Sequence, residues 1–176
     1  MTQPDLRCPP GCGCRRHSSP EDIQERFWAK VDRSGDCWEW TRTLVNGYGV
    51  FSIGTKRHLA HRVSYEWEYG EIPTDRQLDH ICVNHPCVRP EHLRVVTKKQ
   101  QQEHMPGARG NSKSGVRGVY WHGGPGGRYP AWVAKVTHDK KQHFVGRFKT
   151  LEEAEAAVIA KRLELFTHND VDRSLA

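Results

Sequence analysis

Apolar and polar positions repeat with two different periods along this chain, and the changes of period mark out its elements. After Ser19-Pro20-Glu21-Asp22, a helix start with a capping serine, an early proline and two acids, Ile23, Phe27, Trp28 and Val31 recur at helical spacing and read as core. CWEWTRTLVNGYGVFSI then alternates, rich in aromatics, and turns at Asn46-Gly47, which predicts a hairpin. RHLAHRVSYEWEYG returns to helical spacing, with Leu59, Val63 and Trp67 on one face and Gly70 just past the end. Two short β-competent runs follow, RQLDHIC and LRVVT, around a loop carrying Asn84, Pro86 and Pro90; the polar KKQQQEH after them predicts a short helix.

The pattern breaks over residues 103–115, where proline, three glycines, serines and basic residues predict a flexible linker. GVRGVYWH, PAWVAKVTH and KQHFVGRF then read as three strands, and Thr150 caps a helix whose Leu151, Ala154, Val158 and Leu165 form an apolar stripe. That set predicts a three-stranded antiparallel sheet with one packed helix. Trp132, Ala134 and Val136 alternate toward the helix, leaving Val133, Lys135 and Thr137 on the open face.

Composition narrows the function classes. The 176 residues suit one or two small domains, and 36% apolar content with a mean hydropathy of −0.79 leaves modest cores that metal sites would help to hold. A net charge of +6 and a pI near 9.1 favour a polyanionic partner. The charge concentrates over residues 98–149, with eleven Lys/Arg (98, 99, 109, 113, 117, 128, 135, 140, 141, 147, 149) against Glu103 and Asp139. No run approaches membrane length, and the polar, Cys-rich start is no signal peptide, so a cytoplasmic protein with metal-bound rather than disulfide-bonded cysteines is expected.

Two ligand sets stand out. Cys8-x3-Cys12-x-Cys14-x2-His17, with Pro9, Pro10, Gly11 and Gly13 for tight turns, is a complete Cys3His set and predicts a zinc knuckle. Cys82-x4-Cys87-x4-His92 has zinc-compatible spacing but only three ligands, and Cys37 is the candidate for the fourth. The competing reading makes Cys82 and Cys87 small buried side chains and frees His92 for a catalytic metal. On the first of the two short strands, just before these cysteines, lies Asp79-His80. A neutral imidazole can take a proton from water near pH 7, and a carboxylate suits a hard cation, so the pair fits phosphodiester hydrolysis. His58 and His61 complete no recognisable set and are not expected to be ligands.

LDHICVNHPCVRPEHLRVVT resembles the ββα-metal nucleases of the HNH and His-Cys box families, nearest to the phage and homing-endonuclease branch. The resemblance implies His80 as general base, Asp79 as a Mg²⁺ (or Mn²⁺) ligand, Gln101 where the family has a metal-binding Asn, Arg62 as a basic residue near the phosphate, and Cys37, Cys82, Cys87 and His92 as a structural Zn²⁺ site. Gln101 departs from the pattern by one methylene, and Arg89 stands where this branch often has Asn. The C-terminal VRGV, W-x-A-x-V, x-F-V-G-x-F and T-x-E-E-A-x-x-A motifs resemble the plant ethylene-response-factor (AP-two) DNA-binding domain, whose open sheet face enters the major groove. The positions so implied to face DNA are Arg117, Tyr120, His122, Lys135, Thr137, Gln142 and Phe144, with Lys140, Lys141 and Arg147 adding salt-sensitive affinity.

The expected fold is therefore α+β, a zinc-braced ββα-metal nuclease domain followed by a three-stranded antiparallel sheet with one packed helix. The expected segments are a zinc knuckle at 1–19, the nuclease domain at 20–104, a basic linker at 105–114, a DNA-binding domain at 115–168 and a tail at 169–176. The function implied is a sequence-directed, homing-type endonuclease on double-stranded DNA with a catalytic Mg²⁺ and two structural Zn²⁺. No membrane and no small-molecule cofactor are expected, a monomer or a homodimer remains open, and the setting is the cytoplasm of a bacterial host, the gene being phage-borne. The rival is a DNA-binding regulator whose nuclease fold is vestigial, since Gln101 replaces the usual helix ligand.

Overall fold

The computed structural model describes residues 19–105, 107–108, 110–123 and 130–174, so the predicted knuckle of Cys8, Cys12, Cys14 and His17 lies outside the described residues. The chain is mixed α and β with small antiparallel sheets, and it divides into two compact units between Val95 and Val96.

The first unit opens with α1 (Pro20–Trp28), which starts where the capping signal places it: the Ser19 side chain accepts from the Asp22 backbone N–H, and the Asp22 carboxylate accepts from that of Ser19. Two-residue strands β1 (Val31–Asp32) and β2 (Glu39–Trp40) pair antiparallel. Next come β3 (Leu44–Val45), β4 (Tyr48–Ile53) and β5 (Lys56–Leu59), a sheet in the order β3-β4-β5. The β3–β4 turn carries positive φ at both Asn46 and Gly47, the geometry that makes Asn-Gly a hairpin signal.

One expectation fails here. Helix α2 spans Ala60–Tyr69, so Arg57, His58 and Leu59 belong to β5 and not to the helix. Cross-strand pairing of Phe51 with His58 and Val50 with Leu59 outweighs the helical period, and Leu59 is 39% exposed rather than core. Phe27, Trp40, Phe51, Ala60, Val63 and Val88 form the core, with Trp28, Trp38 and Trp67 packed against it. Phe27 sits at its centre, with ring centroids of Trp28, Trp40, Phe51 and Trp67 at 4.8–5.1 Å. A Cβ on Gly49 would lie 2.6 Å from Trp40 Cγ, so only glycine lets that indole cross the strand.

After α2 the chain forms β6 (Gln77–His80), a loop ending in a single 3-10 turn at Pro90–His92, and β7 (Leu93–Val96), which pairs with β6. The short helix α3 (Lys98–His104) follows, capped reciprocally by Thr97 and Gln100.

The second unit holds α3 together with β8 (Val119–His122), β9 (Ala131–His138), β10 (Lys141–Phe148), α4 (Leu151–Leu165) and α5 (Asp170–Arg173). The sheet is antiparallel in the order β10-β9-β8, closed at one end by a two-residue turn with positive φ at Asp139 and Lys140. Val119, Ala134, Val136, Ala154, Val158 and Phe166 bury the face toward α4. Two expectations change. Val133, assigned to the open face, is 3% exposed, because it is on the central strand with Tyr120 and Arg147 directly opposite on either side. Residues 169–176 are not all tail. Asp172 of α5 accepts from Arg162 Nε and Nη2 at 2.5 and 2.9 Å and from Asn169 Nδ2 at 2.6 Å, so a buried ion pair docks this turn on α4.

Candidate active site and metal-binding cluster

Strand β6 aims two adjacent side chains at different partners, as strand geometry requires. Asp79, 8% exposed, faces β7, where Arg94 Nε and Nη2 both donate to its Oδ2 at 3.2 Å. His80, 4% exposed, faces the loop, and its Nε2 lies 3.0 Å from the Cys87 carbonyl. A carbonyl oxygen only accepts, so Nε2 carries the hydrogen and the lone pair of the neutral ring is on Nδ1. Burial holds this imidazole below the ordinary histidine range, against the Cys87 carbonyl, which favours the protonated form.

Around His80 the fold gathers groups that spacing along the chain does not reveal. The His61 ring centroid is 4.8 Å away, that of Tyr48 5.8 Å and that of His85 5.9 Å. His85 stacks on Tyr48 at 4.5 Å. His61, set aside at the sequence level, is thus a neighbour of the candidate base. It is 4% exposed, its Nδ1 has no hydrogen-bond partner among the described residues, and burial, then the charges of His80, Arg62 and His85, hold its pKa down to about 3. Only the start of α2 beside β4 brings His61 and Tyr48 to this place. Arg94 was missed too, although its alternation with Asp79 across paired strands was a usable signal. Arg62, in the first turn of α2, lies 4.0 Å from Glu66. Gln101 lies on α3, in the second unit.

The second feature is a cluster of Cys37, Cys82, Cys87 and His92, whose ligand atoms all lie within 4.8 Å of one another and which could hold a metal ion. His92 Nδ1 is 3.6 Å from both Cys37 Sγ and Cys87 Sγ. Its other nitrogen, Nε2, is 3.4 Å from Asp36 Oδ2, and Arg89 donates to Asp36 Oδ1 at 2.7 Å. A carboxylate behind an imidazole fixes the tautomer and ring plane that ligation needs. The Cys87 thiol, donating to Cys82, brings the Cys82 thiol down to about 5, and Cys87 is pushed up in return. Backbone hydrogen bonds beside the cluster join the 81–89 loop to the rest of the unit: Trp40 N–H donates to Pro86 O at 3.0 Å and Val88 N–H to Trp38 O at 2.8 Å. Val83 in this loop has φ of +58°, a strained position for a β-branched residue, one residue from Cys82.

In the second unit the register puts Tyr120, His122, Lys135, Thr137, Gln142, Phe144 and Arg147 on one sheet face, with Lys140 and Lys141 at its end. Phe144 is 60% exposed and Tyr120 42%, and the Lys135 ammonium lies 5.5 Å over the Tyr120 ring. Arg117 does not join them. Its guanidinium donates to the carbonyls of Gln102, Glu103 and Met105 at 2.7–3.0 Å and so caps the C-terminal end of α3. Glu103 of the same helix is buried and accepts from the Thr167 N–H and hydroxyl and the His168 N–H. No helix among the described residues is long and apolar enough to cross a membrane.

Residues 58–103, which contain Asp79, His80 and three of the four cluster residues, match the family model for HNH endonuclease. The chain is 39% identical over 71 residues to "Protein 7.7" of Escherichia phage T7, covering 40% of this chain and 55% of that protein. It is 38% identical over 60 residues to the uncharacterized gene 5.3 protein of Enterobacteria phage T3, covering 31% and 59%. It is also 36% identical over 100 residues to "Protein 2.8" of the same T7 phage, covering 55% and 66%. The chain thus spans little more than half the length of the first two of these curated relatives. No solved structure matches it. Residues 58–103 are thus similar to an HNH endonuclease domain, and the relatives matched are phage proteins.

Proposed function

We propose that this chain is a divalent-metal-dependent endonuclease acting on double-stranded DNA, with His80 as general base. The observation that carries this is the His80–Cys87 contact inside the HNH-matched region: it leaves a neutral ring with its lone pair on Nδ1, ready to take a proton from water. As the ring becomes imidazolium, the Cys87 carbonyl still accepts from Nε2 and the low-dielectric surroundings keep that hydrogen bond strong. Burial keeps the ring unprotonated at neutral pH, the state a base needs.

Asp79 offers a carboxylate oxygen already oriented by Arg94, a hard donor that fits Mg²⁺ or Mn²⁺. When bound, such an ion supplies charge stabilisation at the phosphate and at the departing 3′ oxygen. In-line attack by water would leave a 5′-phosphate and a 3′-hydroxyl. Arg62, in the first turn of α2, would add a positive charge near the phosphate. The thiolates and imidazole of Cys37, Cys82, Cys87 and His92 fit Zn²⁺, which would fix the loop that supplies the Cys87 carbonyl. The open sheet face of the second unit, a ribbon with exposed aromatics and cations, supports sequence-directed and homing-type action.

The test is nicking of supercoiled plasmid with Mg²⁺ or Mn²⁺. His80→Ala should lower the rate by roughly 100-fold or more while DNA binding persists. No cleavage by the unaltered chain with either metal, alongside retained binding, would replace this reading with that of a DNA-binding regulator.

A further inference from the structure

The nuclease unit has a charge pattern that the catalytic reading does not use. From Trp40 to Tyr65 the sequence contains no Asp or Glu, yet it carries Arg42, Lys56, Arg57 and Arg62. Several of the unit's described cations have partners. Arg76 pairs with Asp75, Arg89 with Asp36 and Glu91, Arg94 with Asp79 and Arg62 with Glu66, and Arg33 stacks over Trp28 and Trp38. Like Arg33, five others, Arg26, Lys30, Arg42, Lys56 and Arg57, have no carboxylate partner among the described residues.

These five lie on or beside one sheet, Arg26 being on α1 and Lys30 just after it. Lys56 and Arg57 lie on β5, an edge strand exposed at every position. Arg26 donates to the Ser52 carbonyl of β4, and both Arg26 and Lys30 lie over the Phe51 ring at 5.3 and 5.4 Å. Arg42 stands just before β3. Burial chiefly, and then the charges of Arg26 and Arg42, hold the Lys30 ammonium below the ordinary lysine range. The same sheet exposes apolar surface at Leu44 (45%), Val45 (47%) and Leu59 (39%). Strand β4 begins at Tyr48, which touches the His61, His80 and His85 rings. From Tyr48 to Ser52 is ~13 Å of strand, a span of about four nucleotides along one DNA strand.

We propose that the β3-β4-β5 sheet, with the adjoining edge of α1, is a docking surface for the DNA backbone next to the cut, gripped by Arg26, Lys30, Arg42, Lys56 and Arg57. It rests on the endonuclease reading for its partner, but it assigns backbone binding to the nuclease unit itself rather than to the basic second unit alone. A polyanion relieves the mutual repulsion of these cations, and the exposed aliphatic side chains suit sugar edges. Binding there would lay the strand toward Tyr48 and the histidines.

The experiment is fluorescence anisotropy of the full-length His80→Ala chain on a duplex of about 30 base pairs of arbitrary sequence, across a salt series. Lys56→Gln with Arg57→Gln should weaken binding at least tenfold and lower the salt slope by roughly 2, about 0.9 per lost phosphate contact. The charge-keeping pair Lys56→Arg with Arg57→Lys should restore both, which separates lost contacts from lost folding. Arg76→Gln, in the same unit, should change neither. An unchanged slope in the double Gln variant overturns the proposal, as does an equal loss in Arg76→Gln, or tighter binding of single-stranded RNA that the same variants abolish. Plasmid nicking by the unaltered chain is scored separately, so a failed nuclease leaves the docking result readable.

Discussion

The two units of this chain solve the same problem of size in different ways. In the second unit, β9 and β10 each run eight residues, α4 runs fifteen with a reciprocal Thr150–Glu153 cap, and a core of Val, Ala and Phe closes between them. Among the described residues of the first unit no strand exceeds six residues and three have two, so backbone pairing alone is a weak scaffold. There the work passes to an aromatic cluster around Phe27 and to the Cys37, Cys82, Cys87 and His92 group that ties down the 81–89 loop. The difference is one of geometry: long strands present a continuous face, whereas an irregular loop delivers a single carbonyl to His80. An irregular loop needs a cross-link, and a regular sheet does not.

The largest expected effect breaks that contrast at the cross-link. Cys87→Ser, or removal of metal by a strong chelator, should abolish the first unit's cooperative melt and leave the second unit's in place; structural zinc in small domains accounts for roughly 10 kcal/mol of folding free energy. Calorimetry with metal analysis reads this directly. A single unchanged melt would mean the cluster is not a cross-link. The mirror experiment is Asp172→Ala, which strands the buried Arg162 guanidinium and should cost the second unit about 3–5 kcal/mol without touching the first.

Acid should separate the units next. The folded value of His61 is about 3 against an ordinary 6.5, so the unfolded ring binds a proton that the folded one refuses. That stability is fully present above pH 6.5 and is lost as pH falls toward 3, roughly 1.4 kcal/mol per pH unit, or about 2 kcal/mol by pH 5. In the second unit burial raises the Asp172 carboxyl, but hydrogen bonds from Arg162 and Asn169 win and hold it below the ordinary Asp range. Its contribution is present above that range and is lost only as pH falls through the depressed value, below about pH 4. Far- and near-ultraviolet circular dichroism from pH 7 to 4 should therefore show the first unit failing first. Simultaneous loss would remove the assigned role of His61.

The smallest effect concerns Arg117. Because its guanidinium caps α3, Arg117→Ala should cost the second unit on the order of 1–3 kcal/mol and fray residues 98–104, seen by hydrogen exchange. Its salt slope for DNA should hold. A fall of about 0.9 in that slope would return Arg117 to the DNA-binding face.

Local signals were readable wherever the physics is local. The Ser19 and Thr150 caps, the Asn46-Gly47 turn and the alternation along β9 act within a few residues, and the elements they announce begin within a residue or two of the expected places. Spacing alone named Cys82, Cys87 and His92, since ligands five residues apart in one loop have few alternatives. Helix and strand were confused at Arg57, His58 and Leu59, because the pairing with β4 that decides them comes from residues earlier in the chain. Val133 was misplaced for a like reason: a central strand is shielded from both sides, which alternation does not register.

By itself, then, the sequence determined the order of elements, the surplus of positive charge, and the residue types that make hydrolysis and metal binding possible. Only the tertiary structure decided that His61 and Tyr48 stand beside His80, that Arg94 holds Asp79, that Arg117 serves a helix end, and that five cations on or beside one sheet have no carboxylate partner among the described residues. The reason is one of range. Caps, turns and spacings are set by bonds a few residues long, whereas protonation, tautomer and pairing depend on which distant side chains share a pocket, and that is fixed only when the core around Phe27 closes.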